Sequence, residues 1–286
     1  KLDLTGWVTI NNESGVDYEK AKIQLVAGAV NIVRPMMARS RGMMMKTIGF
    51  AANDAMEMGA PEPEIISSYE LYTLPNITTI KDKQTKQIAL IERKNVTYKK
   101  EFNLQSPFYF GDYGDNEFEK HHPYITYVME NVAASNLGIS LPGGTMRFYE
   151  NDKNGNLQFI GSDMIKNTSK EDTIRLDLGE AFNISLSGKI KQIRQDEISR
   201  KPENKCFMVK TLRTYEVEVT LNNAEDVDNT VIFKQSVPAQ HKIVKENIKS
   251  ELKNAIIRQW AISAAKNSKS TLNYTVEVTF DNRVCH

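Results

Sequence analysis

Short runs in which apolar and polar residues alternate occur along most of this sequence. Examples are residues 7 to 10, 22 to 26, 87 to 91, 145 to 149, 215 to 221 and 273 to 280. A period of two places every second side chain on the same face of a β-strand, whereas a helix repeats after about 3.6 residues. Asn, Gly and Asp separate the runs, as in β-sandwiches, where turns recur roughly every 8 to 12 residues. The predicted fold class is all-β, with tandem antiparallel β-sandwich units of the immunoglobulin-like type and a long irregular loop.

Asparagines follow three of the predicted strands. Asn11-Asn12, Asn131 and Asn222-Asn223 each precede a polar loop and a returning strand. An Asn side chain can bond the backbone that follows it, and Asn tolerates left-handed φ, so it suits a strand exit. We interpret the recurrence as a weak internal repeat, since the loops differ in length.

A hairpin turn is predicted at residues 151 to 156, which read NDKNGN. The turn separates two alternating runs and requires a positive φ at Gly155. Phe148 and Phe159 are therefore predicted to be partners on the two adjacent strands.

Residues 36 to 64 interrupt the alternation. This stretch, MMARSRGMMMKTIGFAANDAMEMGAPEPE, has neither a period of two nor a helical face, and it ends in a Pro-Glu-Pro run. We predict a mobile, protease-sensitive loop. Residues 243 to 256 fit a helix with Ile248, Leu252 and Ile256 on one face. A strand through Ile256, Trp260, Ile262 and Ala264 fits as well, and periodicity leaves both readings open.

The length of 286 residues is enough for two ordinary domains or one large one. We predict an N-terminal β-sandwich region, residues 1 to 188, and a C-terminal immunoglobulin-like sandwich, residues 189 to 286. The second segment contains about seven alternating runs, as in an immunoglobulin-like unit. Trp260 and Tyr215 should be buried within it, and it should unfold cooperatively when expressed alone.

Composition limits the classes of partner. The chain has 37 Lys and Arg against 36 Asp and Glu, so no net field would recruit nucleic acid or an anionic membrane. Its apolar runs are far shorter than the roughly 20 residues that cross a bilayer, so no transmembrane segment is predicted. Cys206 and Cys285 are too few for a disulfide framework. One bridge between them is possible but is not our expectation, because sequence distance says nothing about spatial separation.

The densest group of metal-ligating residue types lies in GDYGDNEFEKHH. Its carboxylate and imidazole side chains are those of Asp112, Asp115, Glu117, Glu119, His121 and His122. Adjacent histidines on a strand point to opposite faces, and a one-face spacing such as HxxxH is missing, so a solvated loop is the better interpretation. We predict no metal site, no cofactor and no catalytic residue.

Other motifs also favour structural roles. The run from Asp152 to Gly155 resembles half of a calcium loop but lacks the closing glutamate. Five of the eleven methionines lie between positions 36 and 45, where thioethers could bind copper but adaptable apolar contacts are the better interpretation. The other histidines are His241 and His286, and no Ser or Cys lies in a nucleophile motif. The aromatic residues expected in the core rather than on a sugar-binding platform are Trp7, Tyr127, Phe148, Tyr215, Trp260 and Tyr274.

Three blocks of the sequence together resemble one bacterial family. They are GWVTINNESGVDYEKAKIQLVAG, LPGGTMRFYENDKNGNLQFIGSDMIKNTSKEDTIRLDLGEAFNI, and YEVEVTLNN with QWAISAAKNSKSTLNYTVEVTF. The middle block is the most specific, because a Leu-Pro-Gly-Gly run, a Tyr-terminated strand, a Gly hairpin and a Phe-Ile-Gly return follow in order. From Gly6 to Phe280 the chain resembles domain of unknown function 4139, the C-terminal region of mucoidy-inhibitor-like proteins.

The resemblance implies a β-sandwich exported to the periplasm or cell envelope, and it implies no catalytic residues. The leading hypothesis is a non-catalytic structural or interaction module whose partner is a protein or an envelope polymer. One alternative is a glycan- or polymer-binding sandwich, which would present a row of exposed aromatic side chains. Another is a metal-dependent hydrolase centred on residues 112 to 122.

The family pattern continues upstream of Lys1. We therefore expect an open strand edge near residues 7 to 10, through which two chains could pair as a homodimer. The alternative is an edge that Asp3 and Thr5 protect.

Overall fold

The computed structural model describes residues 1–27, 64–66, 69–74, 76–111, 115–203 and 205–285. These residues form twenty strands and one 3₁₀ turn, Ala133–Ser135, and no helix among them is long and apolar enough to span a membrane. The strands are β1 (Leu2–Asn11), β2 (Tyr18–Ala21), β3 (Gln24–Ala27), β4 (Glu64–Ile66), β5 (Tyr69–Thr73), β6 (Thr78–Ile80), β7 (Thr85–Val96), β8 (Lys99–Gln105), β9 (Asn116–His121), β10 (Tyr124–Glu130), β11 (Gly144–Asn151), β12 (Leu157–Ile165), β13 (Thr173–Glu180), β14 (Ile184–Glu203), β15 (Cys206–Asn223), β16 (Asn229–Ser236), β17 (His241–Glu246), β18 (Glu251–Asn254), β19 (Ile257–Ala264) and β20 (Ser268–Cys285).

The predicted all-β class is confirmed, and each of the six alternating runs overlaps a strand. The segment 243 to 256, which the sequence left open, contributes to β17 and β18. Of the predicted irregular loop, residues 36 to 63 lie outside the described residues, and Glu64 begins β4.

Two compact units divide the chain, and each is assembled from three segments. The first consists of Lys1–Tyr98, Met129–Met146 and Met164–Ile174, and the second of Lys99–Val128, Arg147–Asp163 and Arg175–His286. This division differs from the predicted one, whose boundary between residues 188 and 189 lies inside β14. That strand pairs with β15 on both sides of the boundary.

The predicted boundary differs from the observed one because strands that precede residue 184 belong to the sheets of the second unit. The strands within 189–286 share their two sheets with β8, β9, β10 and β13. Interstrand hydrogen bonds join segments that are distant in sequence, and alternation within a strand does not show its neighbours. The cooperative unfolding of segment 189–286 alone stays a prediction.

The first unit contains three small sheets, formed by β1 with β7, by β2 with β6, and by β5 between β3 and β4. Tyr72 is 2% exposed, and its hydroxyl donates to the backbone carbonyl of Ser140 at 2.8 Å. Trp7, on β1, is 48% exposed, so its predicted core position is wrong. Alternation identifies the two faces of β1 but does not show how far either face is covered. Among the described residues β1 pairs with β7 alone, which leaves its other edge open.

The second unit is a β-sandwich of a six-stranded sheet, β13-β10-β8-β16-β19-β18, and a five-stranded sheet, β17-β20-β15-β14-β9. Most neighbours are antiparallel, whereas β16 and β8 run parallel. Inward-facing side chains of both sheets form one core. Trp260 and Tyr215 are 0% and 1% exposed, as predicted, and Trp260 stacks on Tyr274 with ring centroids 4.4 Å apart. Tyr127 and Phe148 are also buried.

The hairpin of β11 and β12 turns as predicted, with Gly155 at a φ of 82°. Its aromatic partners differ from the prediction. Phe148 is buried and its ring lies 5.4 Å from that of Tyr127, whereas the exposed Phe159 contacts Tyr149 at 5.7 Å. Phe148 and Tyr149 are consecutive on β11, so their side chains point to opposite faces, and Phe159 shares the face of Tyr149.

Two of the predicted strand-exit asparagines form the same hydrogen-bonded loop, one in each unit. The Asn12 amide donates to Val16 at 2.8 Å and to the consecutive carbonyls of Ile80 and Lys81. The Asn223 amide likewise donates to Val227 at 2.8 Å and to the carbonyls of Ala264 and Ala265. Each side-chain oxygen accepts the backbone N–H two residues later. The feature that repeats between the two units is thus the pattern of hydrogen bonds made by the asparagine in these loops.

Asn131, in the first unit, forms a variant of the same hydrogen-bonding arrangement. It is fully buried, its amide donates to Ile139 at 2.7 Å and to Ser169 at 2.6 Å, and its oxygen accepts the N–H of Ile139. An amide side chain offers two donors and one acceptor, which satisfies backbone groups where a strand ends. All three asparagines therefore fix the path of the chain after a strand.

Cys206 and Cys285 form a disulfide, contrary to the sequence-based expectation. They are directly opposite each other at the ends of β15 and β20, with Cα atoms 4.2 Å apart. The two strands stay in register from the pair Asn223–Ser268 to the pair Cys206–Cys285, and this continuous ladder brings together residues 79 positions apart.

Candidate functional site

The segment with the densest group of metal-ligating residue types, for which a solvated loop was predicted, does not assemble a metal site among the described residues. Asp112 lies outside them, and on β9 Glu117, Glu119 and His121 are exposed whereas Phe118 is buried. The His122 ring nitrogen Nδ1 is 2.8 Å from the backbone carbonyls of Ala181 and Ile184, so this imidazole holds two chain segments together. In the described part of the chain no three His, Cys, Asp or Glu side chains are grouped to hold a metal ion.

The remaining sequence motifs also occupy structural positions. Asp152 accepts backbone N–H bonds from Asn154 and Asn156, both at 2.9 Å, and these bonds keep the pKa of its carboxyl below the usual range. This arrangement is a hairpin turn rather than a cation loop. His241 donates from Nδ1 to Pro238 and accepts from Arg258 at Nε2. The methionine-rich segment 36 to 45 and His286 lie outside the described residues.

In the part of the chain that the structure describes, exposed aromatic side chains do not form a row on either large sheet. In the described ranges the aromatic residues with large exposure are Trp7, Tyr18, Tyr109, Tyr124, Tyr149, Phe159 and Phe182. Tyr124 alone among them lines one of the two grooves described next. The aromatic platform expected of a glycan-binding sandwich is therefore missing from the described outer faces of the sandwich.

A first groove of about 940 Å³ lies on the outer face of the five-stranded sheet. Lys189 on β14 lies 2.9 Å from the Glu218 carboxylate on β15, and Lys191 is in register with Glu216. Cations on β14 thus face carboxylates on β15. We call this surface the charge-paired groove. Such cross-strand ion pairs are common on sheet faces that are exposed to solvent.

A second groove, of about 380 Å³, lies on the outer face of the six-stranded sheet. Its lining side chains come from four adjacent strands and are those of Asn103, Gln105, Tyr124, Thr126, Arg175, Asp177 and Lys234. Thr126 donates to Asp177 at 2.6 Å, and Arg175 forms an ion pair with Glu101. Burial would raise the pKa of Glu101, but the hydrogen bonds and charges of Arg175 and Lys99 outweigh it and lower that pKa.

One of the two cations that line the second groove is Lys234 on β16. Its side chain is half-buried, and among the described residues it has neither an ion pair nor a hydrogen bond. Burial, followed by the charge of Arg175, lowers the pKa of its ammonium. Most of the polar lining groups are N–H or O–H donors. We call this surface the donor-lined groove.

The third exposed feature is apolar. Tyr149, Leu157 and Phe159 share one face of the β11–β12 hairpin and are 54%, 68% and 57% exposed. Asp163 near the hairpin base accepts the backbone N–H of Asp177 at 2.8 Å, which fixes β12 against the edge strand β13. We call the three residues the aromatic hairpin face.

Sequence reasoning missed both the donor-lined groove and the aromatic hairpin face. Alternation places Lys234, Arg175 and Asn103 on outward faces, but the strands that carry them are separated by long stretches of sequence. The order of strands in the sheet, which brings these residues together, has no local signal. For the hairpin, the pattern predicted apolar partners but did not show which face of the hairpin is buried and which is exposed.

Comparison with known proteins adds no relative. No family model, no curated protein and no solved structure matches this chain.

Proposed function

We propose that this chain is a non-catalytic interaction module of an exported bacterial envelope protein, and that it binds a protein partner through the aromatic hairpin face. The observation that carries the proposal is the exposure of Tyr149, Leu157 and Phe159 on a hairpin. Aromatic side chains present a large contact area at low entropic cost, and they are enriched at protein interfaces. Scattered apolar residues are common on surfaces, but here three share a face and two are in ring contact.

Two further observations support an exported, non-catalytic protein. The Cys206–Cys285 disulfide suits an oxidising compartment, since such bonds persist outside the cytosol. The resemblance of the three sequence blocks to domain of unknown function 4139 points in the same direction.

Site-specific photo-crosslinking in the native bacterium would test the partner. A photoreactive residue at Phe159 should give one discrete crosslinked species, because this side chain lies on the aromatic hairpin face. The matched control is Gln158, the neighbouring residue on β12, which points to the opposite face. Equal yields at both positions, or no product at Phe159 when the full chain is folded and in its normal compartment, would contradict the proposal.

Thiol accessibility would test the proposed compartment separately. Protein isolated from its native cells under non-reducing, denaturing conditions should have no free thiol, because Cys206 and Cys285 are bonded. Two free thiols per chain in material trapped in the cell would contradict export to an oxidising compartment.

A further inference from the structure

We propose that the donor-lined groove is a binding site for a small hydroxylated monocarboxylate. The groove is lined by the Lys234 ammonium, which has no acceptor within the described residues, by the guanidinium of Arg175 and by the side-chain amides of Asn103 and Gln105. This inference stands apart from the aromatic hairpin face, and none of its test variants changes a residue of that face.

The partners of the charged side chains favour an anionic ligand. Six ionised side chains lie at or beside the groove: Lys99, Arg175, Lys234 and Lys253 are cationic, and Glu101 and Asp177 are anionic. Arg175 is already paired with Glu101, and Asp177 accepts the Thr126 hydroxyl. Lys234 is half-buried and has no direct partner in the described part of the chain, whereas Lys253 on β18 is exposed to solvent. One negative charge would complement Lys234.

The burial of Lys234 favours the binding of an anion. An ammonium that loses water without gaining an acceptor is destabilised, and this cost appears as the lowered pKa of Lys234. A carboxylate bound in the groove would replace the lost hydration and would raise that pKa again. The contrasting surface is the charge-paired groove, where Lys189 already has Glu218 at 2.9 Å.

The other lining groups would bind the hydroxyl groups of such a ligand and contact its carbon atoms. Among the described residues the side chains of Asn103 and Gln105 make only long hydrogen bonds, 3.4 Å each, to Thr126 and Ser236. Their amides therefore have donors and acceptors to offer to hydroxyls. Tyr124 is 50% exposed and provides an apolar ring at the groove. A volume of about 380 Å³ accommodates a small molecule.

Gluconate, sorbitol and inorganic phosphate are suitable probes, because sorbitol has the hydroxyl groups without the carboxylate, and phosphate has charge without the carbon chain. NMR titration of the intact chain should show millimolar gluconate binding that shifts the Lys234 side-chain resonances, with sorbitol and phosphate at least tenfold weaker. Lys234→Met, which keeps the length of the side chain, should weaken gluconate binding at least tenfold. The matched control Lys189→Met, in the charge-paired groove, should leave it unchanged.

A second measurement does not depend on any variant. Calorimetry in alkaline buffers of different ionisation enthalpy should detect proton uptake when gluconate binds, since the carboxylate favours the charged form of Lys234. Absence of gluconate shifts at Lys234, equal binding of phosphate, equal binding by Lys234→Met, or binding without proton uptake would each overturn the proposal.

Discussion

The side-chain amide of Asn223 donates a hydrogen bond of 2.8 Å to the backbone carbonyl of Val227. The same amide also bonds the carbonyls of Ala264 and Ala265, and Asn223 is 1% exposed. We expect Asn223→Ala to lower the free energy of unfolding by about 2 to 3 kcal/mol, because buried backbone carbonyls would lose their donors. Equilibrium unfolding in urea would measure the change.

Asn222 supplies the control for that experiment, because it precedes Asn223 on β15 and, among the described residues, its side chain makes no hydrogen bond. Asn222→Ala should change the free energy of unfolding by less than about 0.5 kcal/mol. Similar losses in the two variants would mean that the bonds of Asn223 do not determine the stability of this loop.

The Glu246 carboxylate should contribute to the pH dependence of stability. Burial would raise its pKa, but hydrogen bonds from Ser250 and Trp260 and the charge of Arg258 outweigh burial and lower it. A carboxyl with a lower pKa in the folded state stabilises the fold above its unfolded value, and the contribution is lost as the pH falls through the folded value. We therefore expect the wild type to lose stability below about pH 4.5, the ordinary value for this group.

Replacement of Glu246 by Gln separates this carboxylate from all others. Glu246→Gln should lower the free energy of unfolding by about 1 kcal/mol near neutral pH, since the amide is a weaker acceptor for Trp260 and Ser250. The difference between the two proteins should shrink in acid. Urea titrations monitored by Trp fluorescence at several pH values would show it, and a constant difference down to about pH 3 would contradict the assignment.

The hydroxyl of Tyr274 is buried and has no hydrogen-bond partner within the described residues. Burial raises the pKa of this phenol. We expect Tyr274→Phe to increase the free energy of unfolding by about 1 kcal/mol, because the variant removes an unsatisfied polar group and keeps the stack on Trp260.

Tyr215→Phe is the matched comparison for Tyr274→Phe. Tyr215 is equally buried, but its hydroxyl donates to the carbonyl of Gly111 at 3.0 Å. Its loss should lower the free energy of unfolding by about 1 kcal/mol. Thermal or urea unfolding of both variants gives the comparison, and a destabilised Tyr274→Phe protein would reveal a partner for that hydroxyl.

Gly188 on β14 lies beneath the ring of Phe118 on β9. A Cβ atom at this position would be 2.5 Å from the Phe118 ring and 3.0 Å from the Glu218 carbonyl. We expect Gly188→Ala to cost roughly 2 kcal/mol in the free energy of unfolding, the usual scale for overpacking. Gly144→Ala is the control, because a Cβ there would have no neighbour within 4 Å.

A double-mutant cycle would show whether Phe118 causes the cost. In a Phe118→Leu background the Gly188→Ala substitution should be less destabilising, since the smaller side chain leaves room for the methyl group. Additive effects in the double variant would assign the cost to the backbone contact with Glu218 instead.

Alternation predicted the strands because it is a property of each strand alone. The runs at 215 to 221 and 273 to 280 lie in β15 and β20, and the burial of Tyr215 and Trp260 follows from the same period. The turn at Gly155 was also predictable, since its positive φ has a local residue preference.

Relations between distant segments were beyond the sequence pattern. The Cys206–Cys285 bond depends on the register of two 18-residue strands, and the donor-lined groove depends on the placement of β8, β10, β13 and β16 in one sheet. The exposure of Trp7 likewise depends on segments that are distant in sequence. Its strand has two faces, and the coverage of each face depends on other parts of the chain.

The covalent bond between the last paired residues of β15 and β20 determines how this unit would respond to mechanical force. Hydrogen bonds of an antiparallel ladder break one after another when a strand is pulled away from its end. A pull on the chain at Cys285 would instead load the bond to Cys206 and transfer the force into β15. With the disulfide reduced, the same pull would peel β20 away, beginning at the pair of Val284 and Phe207.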